Sequence, residues 1–471
     1  MRFFQVFIGA VVALAVVRGW VLPLTDTFWV DEAGTYWTIL GGWREVWERT
    51  GMHQNSRFYS LLLWAWAQVA GLSEVALRLP SLVAVMAAVG LLGWFVERRM
   101  GAGSGWQLVA LAAVSPQLQF YAADARPYGV ALLLGVVTMI LAAAWREQPL
   151  TRLGWWWGLA GGLMVWLHPV TAVALVAQGA WLLGTRRGAN GEQRRWRSCA
   201  MALAVVGVMA ALELSRLAAF HGRNTSSVHF RPDTGWRFVR MLLPLWPVAP
   251  LVAAVAGAWW WGRRGSRGDG TSRELLWLGV ATVTVPVMVV TLVRLTTKID
   301  LMLDRYVVVV LAGWLLLMVV GSARWLTDKG RVVFTLVFVV VGLGGQIWNS
   351  GWQVRHSDAD WRGALGAVRE WDGGRRLPVY IQSGFVEGKR THFLNHPAWK
   401  DYLLAPALAY PVPGETYVLP IHAEAGYPID APGSFWLVVY EDNGPSLYLT
   451  GYEERARLRG RFRRLAVYEV R

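Results

Sequence analysis

Two adjacent carboxylates, Asp31 and Glu32, stand in the segment FWVDEAGTYW directly after the first long apolar stretch of the chain. A carboxylate held beside a membrane boundary can take a proton from an incoming hydroxyl or amine, which is general-base chemistry. A second pair, Asp124 and Arg126, lies in FYAADARPYG, where Pro127 opens the next apolar run. The arginine presents a planar fork suited to a phosphate, and an aspartate two residues away can orient it or face a sugar. On chemistry alone, an Asp/Arg ion pair pinning two helices is an equal reading. Further ionisable residues sit at the ends of apolar runs: His53, Arg57, Arg78, His168, His221, Arg223, His229, Arg231, Lys298, Asp304 and Arg305. Any one of them reads as a snorkelling or paired surface charge. A whole set gathered on one face asks for a cavity or a partner, because ionisable groups at span ends are costly.

These groups must be positioned by membrane helices. Of 471 residues, 55% are hydrophobic and 16% charged, with a positive mean hydropathy, outside the range of soluble chains. The first apolar run, Phe3 to Leu24, can cross a hydrocarbon core of about 30 Å. Arg2 holds its near end in the cytoplasm, which places Asp31 and Glu32 outside. A cleaved signal peptide is the competing reading, but the run exceeds the usual apolar length of such a segment. Many of the 30 tryptophans cluster where apolar runs end, as headgroup anchors do. The net charge of +15 comes from basic residues punctuating hydrophobic segments, so it reads as topology signal and contact with anionic lipid, with no nucleic-acid partner. A single cysteine, Cys199, excludes an intramolecular disulfide and a cysteine-built metal cluster.

Alternating the charged loops gives about eleven transmembrane helices, with the N-terminus inside and the C-terminus outside. Trp106 to Phe120 is one such span, and residues 58–71 are too short to cross and read as an interfacial helix. The expected fold class is a polytopic α-helical membrane protein with a C-terminal extracytoplasmic α/β domain. Residues 1–349 form the membrane domain with an outer loop at 25–76, and residues 350–471 the soluble one. The latter shows an amphipathic helix, DWRGALGAVREW, and strands at LPVYIQSG, FWLVVYED and LAVYEV.

Several segments in order resemble a family: the acidic pair after the first span, HQNSRFYSLLLWAW, EVALRLPSLVAVMAAVGLLGWFVERRMG, SPQLQFYAADARPYG and DRYVVVVLAG. They are similar to membrane glycosyltransferases of the C-type fold, in the branch of protein O-mannosyltransferases and lipid A aminoarabinose transferases. The resemblance implies a catalytic aspartate in the first outer loop, a polyprenyl-phosphate sugar donor and transfer on the extracytoplasmic side of a bacterial plasma membrane. The chain departs from the family's His-Pro-Pro-Leu, having His53, Gln54, Asn55 and Ser56 there.

Together these readings suggest an inverting transfer. Asp31 acts as base, with Glu32 beside it holding the acceptor or a neighbouring helix. A lipid phosphate leaves without protonation, so the larger need is preorganised cations; Arg126 and Arg78 are the first candidates, Lys298 and Arg305 the next. His53, Tyr59, Asp124 and Tyr128 are the expected substrate-binding residues. A retaining route through Asp31 and Asp124 suits a phosphate leaving group poorly. Glu32, His53, His168, His221 and His229 could converge on a divalent metal, but no HExxH or tight Asp-x-Asp spacing is present, so no cofactor is expected to be required. The partners are then the lipid-linked donor, the bilayer and an acceptor of unknown kind. A transporter or flippase of a lipid-linked or anionic substrate is the alternative, and a scaffold of an envelope complex the third reading.

Overall fold

A computed structural model of the chain describes residues 2–52, 56–148, 151–183, 199–211, 213, 234–261, 270–297, 301–389, 397–421, 429, 431, 433–441 and 446–471. The chain divides into two compact units. One comprises Met1–Pro23, Ser56–Tyr59 and Arg78–Val354; the other comprises Leu24–Asn55, Ser60–Leu77 and Arg355–Arg471.

The first unit is helical. Its elements are α1 (Arg2–Val16), the start of α4 (Arg57–Ala70), most of α5 (Glu74–Met100), α6 (Ser104–Ala113), α7 (Pro116–Ala122), α8 (Tyr128–Glu147), α9 (Thr151–Leu167), α10 (Ala174–Leu183), α11 (Cys199–Ala211), α12 (Thr234–Leu242), α13 (Leu245–Trp261), α14 (Gly270–Thr296), α15 (Val310–Trp325) and α16 (Asp328–Ser350). The second unit holds α2 (Val30–Ile39), α3 (Trp43–Met52) and the rest of α4. Five helical segments among the described residues are long and apolar enough to cross a membrane: Val6–Thr25, Glu74–Met100, Tyr128–Glu147, Thr271–Thr296 and Asp328–Ser350. A sixth arises if the pair Gly235–Leu242 and Trp246–Trp260, bent by 53°, counts as one. The chain is an integral membrane protein.

The stretch expected as one span over Trp106 to Phe120 is broken. Ser115 caps α7 by accepting the Leu118 N–H, and Pro116 occupies the first helical position, where its missing N–H costs nothing. A break inside an apolar unit leaves carbonyls that must find donors. The Trp20 indole (3.1 Å) and the Gln119 amide (2.9 Å) donate to Ala113, and the Gln346 amide (2.7 Å) donates to Val114. The bend between α12 and α13 follows the same logic at Pro244, where the Trp314 indole donates to the Leu242 carbonyl at 2.8 Å. Helices α14 and α15 approach through Gly279 and Gly313; a Cβ on Gly313 would lie 3.1 Å from the Gly279 carbonyl oxygen.

In the second unit a five-stranded mixed sheet runs in the order β2-β1-β3-β5-β4, from β1 (Val379–Gln382), β2 (Thr416–Leu419), β3 (Phe435–Tyr440), β4 (Ala456–Phe462) and β5 (Leu465–Val470). β1 is parallel to both β2 and β3; β5 is antiparallel to β3 and β4. Every residue of β3 is buried, as befits a central strand covered on both faces. The amphipathic segment forms α17 (Trp361–Asp372), N-capped by Asp360 and ended by Gly373 at φ 59°. All three expected strands form. The two missed strands, β2 and β4, are the sheet's edges, and β4, ARLRGRF, alternates arginines with Ala456, Leu458, Gly460 and Phe462, the kind of charge that edge strands often carry.

Asp372 ties α17 to the sheet. Its carboxylate is buried and accepts from the N–H groups of Arg376 (2.7 Å) and Leu377 (3.1 Å) and from the Trp436 indole (3.1 Å). Burial would raise this carboxyl, but those hydrogen bonds and the Arg375 charge hold it below its ordinary value. Asp372→Ala strands three donors and is expected to cost about 2–3 kcal/mol, read as an earlier thermal unfolding transition of the purified protein in detergent.

Candidate active site

In the second unit, the acidic pair falls in the first turn of α2, where carboxylates suit the positive end of the helix. The two side chains have different surroundings. Glu32 is fully buried; its Oε2 accepts the Trp29 N–H at 3.2 Å, closing the helix start, and its Oε1 lies 3.5 Å from His356 Nε2. Asp31 is half-buried, and its charge reaches Tyr440, whose phenol is pushed up by burial first and then by Asp358 and Asp31. One carboxylate therefore closes the helix start, while the other stands half-buried in the same turn.

The residues leading into α2 are gripped one after another. Arg362 donates to the Thr25 carbonyl at 2.9 Å, and its backbone N–H donates to Thr27 Oγ1 at 3.1 Å. Asp26 takes a two-pronged bond from Arg463 (2.6 and 2.9 Å) and the backbone N–H groups of His356 (2.7 Å) and Ser357 (3.1 Å). Tyr410 accepts from the Phe28 N–H at 2.8 Å and donates to Glu74 at 2.9 Å. Behind α2, Gly34 leaves room for the rings of Phe385 and Tyr402, each 3.0 Å from where a Cβ would sit. His356, Asp26, Arg463 and Tyr410 were not among the residues expected from sequence. The one local signal was the doublet Arg463-Arg464 at a hairpin turn, where glycine or asparagine is usual.

In the first unit, Arg78 is fully buried and donates to the Pro23 carbonyl at 3.1 Å. Ser56 N-caps α4 through the Tyr59 N–H and donates to the Trp166 carbonyl, both at 3.1 Å, so Tyr59 is buried beneath a helix start. The Arg126 N–H donates to the Asp124 carbonyl at 2.7 Å and its own carbonyl accepts from Ser81, which sets the tight turn before α8. Tyr128, His168 and Tyr306 form a continuous aromatic row, with ring centroids 5.8 and 4.8 Å apart. The Arg305 guanidinium lies 6.0 Å from the Tyr128 ring and 5.7 Å from Tyr306. The structure thus brings Tyr128 and Arg305 together and adds His168 and Tyr306 to them. His53 and Lys298 lie outside the described residues, as do His221, Arg223, His229 and Arg231.

A cavity of about 300 Å³ in this unit is lined by Gln117, Tyr121, Arg240, Asp304, Met241 and Val310, with Pro244, Val307 and Leu311 completing its wall. Arg240 donates to Asp304 at 2.9 Å. The lining joins a polar pair to apolar side chains, a combination suited to a ligand with a polar head and a hydrocarbon tail. For a metal, Glu32 and His356 offer a carboxylate and an imidazole, donor types that suit zinc.

No family model and no curated protein matches this sequence. Solved structures do match in shape. ArnT from Cupriavidus metallidurans in the apo state superposes with a TM-score of 0.53 at 13% identity, covering 99% of this chain and 98% of that one. The same enzyme bound to undecaprenyl phosphate gives 0.52 at 12% identity, covering 98% of each. The chain has the ArnT fold. That is the C-type fold implied by the resemblance in sequence, and the ArnT-like course runs through both units, the sheet-bearing one included.

Burial alone would raise the Asp26 carboxyl, but hydrogen bonds from Arg463, Ser357 and His356 and the Arg463 charge outweigh it and hold it below its ordinary value. A depressed carboxyl stabilises the folded state above its unfolded value of about 3.9 and loses that contribution as pH falls through the lower folded value. The wild-type protein is therefore expected to lose thermal stability on acidification below about pH 4, and Asp26→Asn to lose that portion of the pH dependence. Differential scanning fluorimetry across pH measures both.

Proposed function

We propose that this chain transfers a sugar from a polyprenyl-phosphate donor to an acceptor on the extracytoplasmic side of the membrane, with inversion at the anomeric carbon. The observation that carries this reading is the division between the two carboxylates on a chain with the ArnT fold: Glu32 is consumed in closing α2, whereas Asp31 is half-exposed in the same helical turn. The sheet-bearing unit and α2 then lie outside, with about eleven spans and a cytoplasmic N-terminus.

In this mechanism Asp31 takes the proton from the acceptor hydroxyl or amine as that atom attacks the anomeric carbon. The bond to the lipid phosphate breaks on the opposite face, and the phosphate leaves as an anion needing no proton. The charge that builds on it is met by arginines, Arg126 and Arg305 foremost, since fixed cations in a poorly solvated site need no reorganisation as the reaction proceeds. The aromatic row of Tyr128, His168 and Tyr306 offers flat faces for a sugar ring. Arg78 takes a supporting part, because its buried guanidinium is bonded to the Pro23 carbonyl. The cavity lined in part by Arg240 and Asp304 is the proposed seat for the head of the donor lipid. The undecaprenyl phosphate carried by one ArnT structure supports this choice of lipid.

Asp31→Asn keeps the shape and removes the base. It is expected to lower transfer from radiolabelled undecaprenyl-phosphate sugars by about 10²–10⁴ at matched expression, and equal activity would reject the assignment. Val310→Trp fills the cavity and is expected to raise the apparent KM for the donor about tenfold at unchanged kcat, since it removes binding shared by ground and transition states. Steady-state kinetics on purified protein separates the two effects.

A further inference from the structure

Arg463 occupies a place where an arginine is costly. The β4–β5 hairpin closes with Phe462 opposite Leu465, so Arg463 and Arg464 are its two turn residues. Arg463 has φ 58°, in the left-handed region, where two-residue hairpins favour asparagine, aspartate or glycine. A side chain other than those persists at such a position when the surroundings use it, and the sound inference runs from the strained residue to a role. Its guanidinium shows that use. It grips both oxygens of Asp26 and also donates to the Ser357 carbonyl at 2.7 Å.

Asp26 stands five residues before Asp31, and little slack separates them. Thr25, Thr27 and Phe28 are each hydrogen-bonded to Arg362 or Tyr410, and the Trp29 N–H is taken by Glu32 at the start of α2. The hairpin turn, through Asp26, therefore fixes where α2 begins and in which direction its first turn presents Asp31. Resting on the assignment of Asp31 as base, we infer that Arg463 and Asp26 are positioning residues for the transfer reaction, and that the C-terminal sheet is part of the catalytic apparatus through this clamp. General-base catalysis needs the base within hydrogen-bond reach of the proton it removes, and a misplacement of about 1 Å can cost on the order of a hundredfold.

The strain supplies its own control. Glycine is at ease at φ 58°, so Arg463→Gly removes the clamp while relaxing the turn, and the hairpin is expected to stay folded. The full-length protein in detergent is compared as wild type, Arg463→Gly, Asp26→Asn and Asp31→Asn. The readouts are transfer from radiolabelled undecaprenyl-phosphate sugars, binding of undecaprenyl phosphate itself, and hydrogen–deuterium exchange over residues 24–35. The expected result for Arg463→Gly is a fall in kcat of about ten- to a hundredfold, unchanged affinity for undecaprenyl phosphate, and faster exchange confined to that segment. Arg463→Lys, which keeps one charged donor, is expected to recover part of kcat. Faster exchange with full kcat would overturn the inference, as would unchanged exchange. Should Asp31→Asn prove as active as wild type, the base assignment fails and the positioning role falls with it; an inactive Asp31→Asn beside a fully active Arg463→Gly rejects the clamp alone.

Discussion

The arrangement of the sheet-bearing unit depends on one carboxylate. Asp26 and Arg463 are largely withdrawn from solvent, with side chains 10% and 19% exposed. A buried ion pair often returns less Coulomb energy than its desolvation costs, unless further hydrogen bonds complete both partners. Here they do: Asp26 accepts two guanidinium and three backbone donors, and Arg463 gives a further bond to Ser357. Such a pair contributes chiefly to uniqueness. These bonds hold the segment before α2 at one place, and with it the start of the helix that carries Asp31 and Glu32.

The membrane unit reaches its polar features by a different route. Its cavity is built from interruptions. α7 follows a break in an apolar helix and supplies Gln117 and Tyr121; the bend between α12 and α13 supplies Arg240, Met241 and Pro244; the short turn Asp304–Val307 supplies the facing wall. Continuous helices would have packed this space with side chains, whereas broken ones leave it open. The Ala113, Val114 and Leu242 carbonyls at these interruptions are answered by Trp20, Gln119, Gln346 and Trp314, as an apolar setting requires.

The legible parts of this chain are those with local causes. Apolar runs gave α5, α8, α14 and α16; amphipathic periodicity gave α17; the apolar strands gave β1, β3 and β5. Less legible was the division of Trp106 to Phe120, although Ser115-Pro116 is a readable helix start. The edge strand β2 is short and lies between Gly414 and Pro420, and β4, although its arginines alternate with Ala456, Leu458 and Phe462, has too little apolar surface to stand out. Among the site residues, Asp31, Glu32, Tyr128 and Arg305 were visible as charged or aromatic groups at the ends of apolar runs. His356, Arg463 and Tyr410 were not, since each stands in a stretch whose composition is ordinary for a soluble domain.

The sequence by itself determined that this is a membrane protein with a candidate base after its first span and an α/β portion toward its end. Hydrophobic length, capping and turn residues act within a few positions of one another, and a linear reading can see them. Only the tertiary structure decided that Glu32 is spent on the start of α2, that His168 and Tyr306 join Tyr128, and that the loop before α2 is held by the C-terminal hairpin. Asp26 and Arg463 are separated by 437 positions. A hydrogen bond over that distance in sequence leaves no periodicity or spacing to read, because its geometry exists only once the sheet has brought the turn to the loop.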